Sequence, residues 1–113
     1  MNTEAYEGWP RNLSSLVLIF LFELVNRALP EELFFRGLVL RSLEKRFGTG
    51  WAVVGSSVFF GATHFQPLQF AALTATGAVF ALLVVRTGRL GPAIIAHLAF
   101  NSITVISVVW GTP

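Results

Sequence analysis

The sequence predicts an all-α fold, a polytopic membrane bundle of about four to five helices. Of its 113 residues, 54% are hydrophobic and only 12% are charged, and the mean hydropathy is +0.68. A soluble domain carries about 25% charged residues, so this composition indicates lipid as the solvent. The length suits three or four membrane spans of about 20 residues each.

A polar, loosely held N-terminal segment is expected at residues 1–11, followed by a single transmembrane core domain at 12–113. Turn-forming stretches such as GTG at 48–50 and RTGRLGP at 86–92 separate the apolar elements. Small residues recur four apart in two of these elements, which lets helix backbones approach closely in lipid. After the first element, we predict helices at 51–64, 68–86 and 93–110.

The first apolar element contains a proline. Pro30 cannot donate a hydrogen bond to the carbonyl of Asn26, so a kink or break is expected there. An unbroken helix over 13–47 would be about 52 Å long, too long to cross about 30 Å of hydrocarbon upright. We therefore expect two arms, roughly 12–29 and 30–47.

Charge and cysteine content exclude several classes of function. The chain has no cysteine, which rules out disulfides and thiolate metal sites. The net charge is only +2 and the basic residues lie in short loops, so we expect a lipid partner and no nucleic acid. The positive-inside rule places the loops at 41–50 and 86–92 on the cytoplasmic side and FQP at 65–67 on the other. The chain is thus predicted to be an integral, multi-pass membrane protein.

Polar side chains are rare within the apolar elements, and an ionisable group in a span costs a few kcal/mol unless it has a partner or a purpose. One interpretation is purely structural: ion pairs Arg27–Glu31 and Glu32–Arg36, an interfacial His64, and interhelical hydrogen bonds elsewhere. The polar residues are Glu23, Asn26, Arg27, Glu31, Glu32, Arg36, His64, His97 and Asn101.

A catalytic interpretation explains these residues together. Two carboxylates, two imidazoles, an amide and a guanidinium on three helices are the parts of an acid–base site. A carboxylate in a poorly solvated site can take a proton from water, and an imidazole can help polarise that water. A second imidazole with an amide can donate to a developing oxyanion.

Three motifs carry a resemblance to a known family. Glu31 to Arg36 reads EExxxR, Phe60 to His64 reads FxxxH, and His97 to Asn101 reads HxxxN. In this order on successive hydrophobic helices they resemble the motifs of the CPBP family of intramembrane proteases. That family includes the CAAX prenyl endopeptidases and many prokaryotic Abi-type or bacteriocin-processing proteins.

The resemblance implies glutamate-dependent peptide hydrolysis within the membrane, and we expect that membrane to be a prokaryotic cell membrane. Glu31 matches the base that activates water, helped by His64, while His97 and Asn101 match the oxyanion-stabilising pair. Glu32 and Arg36 would form or support the site, and Phe60 belongs to the second motif.

Cofactor, substrate and partners stay open at this point. A zinc ion held by Glu31, His64 and His97 is one alternative to a metal-free mechanism. A membrane-associated peptide or a prenylated C-terminus would be the substrate. A homo-oligomer or partner helices could complete the short bundle.

Two features argue against a complete catalytic site. Relatives usually have about eight spans, and this chain has room for about half of them. Counted along straight helices, Glu31 and His64 lie roughly 20–25 Å from the basic side but His97 only about 10 Å. The alternatives are a non-catalytic membrane module of the same fold, an immunity factor or scaffold, and a small ion or proton carrier.

Overall fold

Four helices make up most of the computed structural model, which describes residues 3–111. No strand occurs in this part of the chain, so the all-α prediction is confirmed, and the predicted bounds of the last three helices are close to those observed. Short 3-10 turns at Glu4–Tyr6 and Pro67–Gln69 precede the first and third helices. The helices are α1 Leu13–Phe47, α2 Thr49–Ala62, α3 Phe70–Thr87 and α4 Gly91–Val109.

Helix α1 is continuous through the proline, so the predicted division into two arms is wrong. The backbone widens into π turns at Leu24–Ala28 and Leu33–Leu40, on either side of the α-helical piece Leu29–Glu32. The N–H of Leu29 donates to the carbonyl of Leu24, five residues back. Because the widened turn lies directly before Pro30, the helix continues past the missing donor. π-Bulges of this kind are common at functional sites.

Helices α2 and α3 pack closely through glycines, as the small-residue spacing predicted. A methyl group added to Gly61 would lie 3.2 Å from the carbonyl oxygen of Phe70. One added to Gly77 would lie 2.9 Å from Cδ2 of Phe60. Both contacts are too short for a larger residue, so glycine at these positions sets the distance between the two helices.

A buried apolar cluster joins the C-terminal part of α1 to the other three helices. Its members are at most 3% exposed and pack around the start of α4. Burial on four helices at once fixes their relative positions near one end of the bundle. The cluster consists of Leu40, Ala52, Phe80, Ala81, Val84 and Ala93.

The N-terminal segment is held against the bundle, contrary to the expectation that it is loose. Tyr6 is fully buried and packs with Ile19 of α1 and Val105 of α4. The indole N–H of Trp110 donates to the carbonyl of Trp9 at 3.1 Å. Within residues 3–111, this segment therefore closes one side of the bundle formed by α1 and α4.

Three helical stretches are long and apolar enough to cross a membrane: Leu13–Phe47, Pro67–Thr87 and Gly91–Val109. Helix α2 is also apolar but has only 14 residues, fewer than the ~20 that a span requires. Large apolar side chains such as Leu18, Ile95 and Ile103 lie exposed on the outside of the bundle. Such faces are suited to lipid, and the chain is a membrane protein.

Candidate active site

Glu32 is the central carboxylate of a buried polar network that joins α1 to α4. Its side chain is fully buried. Oε2 lies 2.9 Å from Nη1 of Arg36 and 2.7 Å from Nδ1 of His97. A buried carboxylate needs such compensation, and Glu32 obtains it from one residue on its own helix and one 65 positions further along the chain.

Arg36 ties the same network to α3. Its Nη2 donates to the carbonyl oxygen of Gly77 at 2.8 Å, and its guanidinium lies over the ring of Phe60 at 4.5 Å from the centroid. The guanidinium suits this role because its planar fork can donate in two directions while one face rests on an aromatic ring. A side chain at position 77 would displace this contact, since its Cβ would lie 3.3 Å from Nη2.

His97 lies between the two glutamates of the first motif. Nδ1 faces Glu32, and Nε2 lies 3.4 Å from Oε1 of Glu31. The imidazole stacks on the ring of Phe80, with 5.0 Å between centroids. Because the Glu32 carboxylate accepts a hydrogen bond, Nδ1 carries the proton. Straight helices would place Glu31 and His97 at different depths in the membrane, but in the fold the two side chains lie 3.4 Å apart.

Glu31 lies on the wall of a cavity of about 530 Å³. Its side chain is 34% exposed, while that of the adjacent Glu32 is fully buried. The two carboxylates thus point in different directions, as neighbours on a helix must, and only Glu31 faces the cavity. The cavity is also lined by Thr3, Arg27, Phe60, His64, Gln66, Gln69, Leu73, Thr76, Phe80, His97, Phe100, Asn101, Thr104 and Val108.

His64 follows the end of α2 and reaches the cavity from a third direction. Its Nδ1 donates to the carbonyl oxygen of Phe60 at 2.7 Å, and its ring contacts the Phe60 ring edge to face at 4.8 Å. A carbonyl can only accept, so Nδ1 holds the proton of the neutral ring and Nε2 is an acceptor. His64 can therefore accept a proton or a hydrogen bond at Nε2.

Asn101 lies one helical turn after His97 and lines the same cavity, so the two residues share a face as predicted. It is 5% exposed, and among the described residues its side-chain amide makes no hydrogen bond. An amide N–H facing a cavity without a protein acceptor is available to a ligand.

The residues predicted as alternative zinc ligands do not form a metal site in this arrangement. Within residues 3–111, no three His, Cys, Asp or Glu side chains are placed to hold one ion. His97 has a carboxylate at each ring nitrogen, and His64 directs Nδ1 to a backbone carbonyl. Glu31, His64 and His97 share the cavity wall, but they do not converge as three ligands on one point.

Two parts of the site were not predicted from the sequence. Arg27 forms an ion pair with Glu23, with 3.3 Å between Nε and Oε2, whereas the sequence suggested Glu31 as its partner. Thr104 also lines the cavity. Thr104 comes seven residues after His97 and three after Asn101, and residues at these spacings lie on one helical face. The spacing alone could therefore have predicted that Thr104 shares the cavity with them.

The chain matches the type II CAAX prenyl endopeptidase Rce1-like family over residues 13–103. This range contains all three motifs and most of the four helices. The chain belongs to the Rce1-like family. The resemblance deduced from the motifs is thereby confirmed at the level of the family.

A curated relative is named as a membrane peptidase. The Bacillus subtilis (strain 168) protein named "Putative membrane peptidase YdiL" is 37% identical over 76 residues, which are 67% of this chain and 31% of that protein. The chain therefore spans about a third of the length of this relative. No solved structure matches.

Proposed function

We propose that the chain is an intramembrane endopeptidase that hydrolyses a peptide bond of a membrane-associated substrate, with Glu31 as the base. One observation carries the proposal: Glu31 is the partly exposed carboxylate of a cavity whose wall also holds His64, His97 and Asn101. Membership of the Rce1-like family supports protease chemistry. The residue roles below are inferred from the geometry.

The first step is the activation of water. A water molecule in the cavity would donate one hydrogen bond to Glu31 and another to Nε2 of His64, which is an acceptor because Nδ1 donates to Phe60. As the water oxygen attacks the scissile carbonyl carbon, its proton passes to Glu31. The 3.4 Å between Glu31 and His97 is longer than an ordinary N–H···O bond, so that contact leaves the carboxylate able to bind water.

The second step is the stabilisation of the oxyanion. The side-chain amide of Asn101 can donate one hydrogen bond to the former carbonyl oxygen. His97 can donate from Nε2 only when it is protonated at both nitrogens, since Nδ1 already donates to Glu32. Preorganised donors of this kind stabilise the tetrahedral intermediate.

The third step breaks the carbon–nitrogen bond. The proton taken up by Glu31 passes to the leaving amine nitrogen, the intermediate collapses, and the carboxylate of Glu31 is restored. Water is the only co-reactant, and its two hydrogens end on the amine and on the new carboxyl group. No step needs a metal ion.

Glu32 and Arg36 act through other residues. Glu32 does not line the cavity, and it holds the Nδ1–H of His97 in place. Arg36 compensates Glu32 and anchors it to α3 through the carbonyl of Gly77. With His97 protonated, the positive charges of His97 and Arg36 balance the negative charges of Glu31 and Glu32. A poorly solvated site requires such a balance of charge.

The substrate class is part of the proposal. A cavity in a membrane bundle whose wall includes apolar side chains such as Leu73, Phe100 and Val108 suits a peptide held at the bilayer, including one with a prenylated C-terminus. We place the protein as a multi-pass protein of a prokaryotic cell membrane. A second copy of the chain or partner helices would be its partners in the membrane.

A cleavage assay tests the function. The purified chain in lipid bicelles is incubated with a labelled membrane peptide, with and without a chelator. We expect cleavage that survives chelation and is lost in Glu31→Gln. Cleavage that chelation abolishes and added zinc restores would instead favour the metal mechanism, and cleavage that persists in Glu31→Gln would remove the proposed base.

The second candidate is a non-catalytic membrane module, an immunity factor or scaffold. It is favoured by the buried network of Glu32, Arg36 and His97, which would hold three helices together in a protein that carries out no reaction. A module would bind a partner without cleaving any peptide, and Glu31→Gln would leave that binding unchanged.

A further inference from the structure

Glu23 is a buried carboxylate that the proposed reaction does not use. It is fully buried in α1, and its Oε2 accepts a hydrogen bond from the hydroxyl of Tyr6 and pairs with Nε of Arg27 at 3.3 Å. Its other oxygen, Oε1, has no partner among the described residues. Burial of a carboxylate costs desolvation free energy that an ion pair often does not fully repay, so the presence of Glu23 here calls for an explanation.

Arg27 leads from this carboxylate to the cavity. Its side chain is 22% exposed and lines the same cavity as Glu31. Arg27 and Glu31 are four residues apart on α1, which corresponds to about 6 Å along the helix axis. Among the described residues that line the cavity, Arg27 is the one lysine or arginine. A positive group thus lies one helical turn from the proposed base.

A purely structural ion pair does not account for this arrangement. If Arg27 served only to neutralise Glu23, an apolar residue at position 23 would remove the need for both charges and would cost less. Glu23 is more readily explained as the residue that positions Arg27. Tyr6 donates to Oε2 of Glu23, the same oxygen that pairs with Arg27. Burial and the neighbouring Glu23 raise the pKa of Tyr6, which keeps its hydroxyl protonated and able to donate.

We propose that Arg27 binds a carboxylate of the substrate, and that Glu23 and Tyr6 position it. The inference rests on the proposed function, because it concerns the same cavity. A guanidinium at a cavity wall matches a carboxylate in charge and in planar geometry. The carboxylate is either the free C-terminus of the peptide or an acidic side chain, and it lies within about two extended residues of the scissile bond, since each spans about 3.3 Å.

Three forms of one fluorescent apolar peptide distinguish the two sources: a free C-terminal acid, a C-terminal amide, and an amide with one glutamate near the cleavage site. Fluorescence anisotropy measures the binding of each peptide to the full chain in bicelles. The values of kcat and KM are measured with the same peptides. For the unsubstituted chain we expect the acid or the glutamate form to bind about tenfold or more tightly than the amide, as a charge-assisted hydrogen bond allows.

Variants then assign the preference to Arg27. Arg27→Gln should raise KM and Kd about tenfold or more for the preferred peptide and change the amide little. The double variant Glu23→Gln/Arg27→Gln guards against misfolding, because it leaves no unpaired buried charge, and it should lose the same preference. Arg89→Gln, at an exposed arginine in the loop before α4, is the matched control and should keep it.

Tyr6→Phe tests the positioning role. It removes only the hydroxyl and keeps the buried ring, so the ratio of acid to amide affinity should fall while Arg27 is still present. A merely structural role of Tyr6 would lower the melting temperature and leave that ratio unchanged.

The outcomes separate this inference from the proposed function. If the chain cleaves and binds all three peptides equally, or if Arg27→Gln lowers kcat without changing the preference, the role of Arg27 is overturned and the protease proposal stands. If no peptide is cleaved but the acid preference depends on Arg27, the binding inference stands and the protease proposal fails.

Discussion

Nδ1 of His97 lies 2.7 Å from Oε2 of Glu32, the oxygen that also pairs with Arg36. This contact joins the first motif to the third across 65 positions of the chain. It keeps a proton on Nδ1 of His97 and directs Nε2 to Glu31. The buried carboxylate therefore organises the site, and the partly exposed one is available for chemistry.

The buried pair gives a prediction on stability. Arg36→Met removes the cation beside Glu32 and leaves the fully buried carboxylate without this partner. The free energy of unfolding should therefore fall by about 3–5 kcal/mol. Thermal unfolding in detergent measures this. The double variant Glu32→Gln/Arg36→Met removes both charges and should regain much of the stability, but its activity should stay low because His97 has lost its anchor. Normal stability of Arg36→Met alone would contradict the assignment.

Close packing at Gly77 gives a second prediction. In Gly77→Ala the new methyl group would lie 2.9 Å from Phe60 and 3.3 Å from Nη2 of Arg36, and overpacking of this kind costs about 1–3 kcal/mol. Because the same residues support Glu32, cleavage should fall together with the melting temperature. Gly50→Ala is the control, since nothing lies within 4 Å of its added methyl group. Equal stability of the two variants would refute the packing argument.

The sequence predicted the helices, and because polar groups are rare in an apolar chain it also singled out residues that the fold brings to one cavity or to the buried network beside it. His97 and Asn101 share a helical face by spacing alone, and the alternating directions of Glu31 and Glu32 follow from helix geometry. The contact between His97 and both glutamates could not be predicted, because it depends on how α4 packs against α1. A count of helical rise treats the helices as parallel rods, and it placed His97 at another depth.

Other features of the structure could not be predicted because they depend on tertiary contacts, which rules based on local sequence do not consider. Pro30 indicates a break by its missing N–H, but a π turn placed before it lets α1 continue. Arg27 has acidic residues four positions away on both sides, so spacing alone could not choose Glu23. Tyr6 belongs to a polar segment by composition, and only the surrounding Ile19 and Val105 show that it is buried.

The membrane orientation gives a third prediction. The chain has no cysteine, so single cysteines introduced at Gly50 and Leu68 report only on their own positions. The Lys and Arg residues around the α1–α2 turn predict that Gly50→Cys is labelled from the cytoplasmic side and Leu68→Cys from the other. Helix α2 is short for a span, so labelling of both from one face would show that α2 does not cross and would overturn this topology.

The proposed base gives a fourth prediction. Glu31→Gln keeps the shape and most hydrogen bonds of the side chain but cannot take up a proton, so kcat should fall by at least about 10². Combining it with His64→Ala should add little further loss, because both residues act on the same water. Glu44→Gln, near the end of α1 and outside the cavity, is the matched control and should keep activity within about twofold. An active Glu31→Gln enzyme would remove the basis of the mechanism.

Asn101 separates stabilisation of the oxyanion from binding of the substrate. If its amide donates mainly in the transition state, Asn101→Ala should lower kcat by about 10²–10³ and leave KM nearly unchanged. The neighbouring Ser102 supplies the control, because its hydroxyl is buried and has no hydrogen-bond partner among the described residues, so Ser102→Ala should change kcat little. A rise in KM with an unchanged kcat in Asn101→Ala would mean that the amide holds the substrate in its ground state, and His97 would then be the sole proposed donor to the oxyanion.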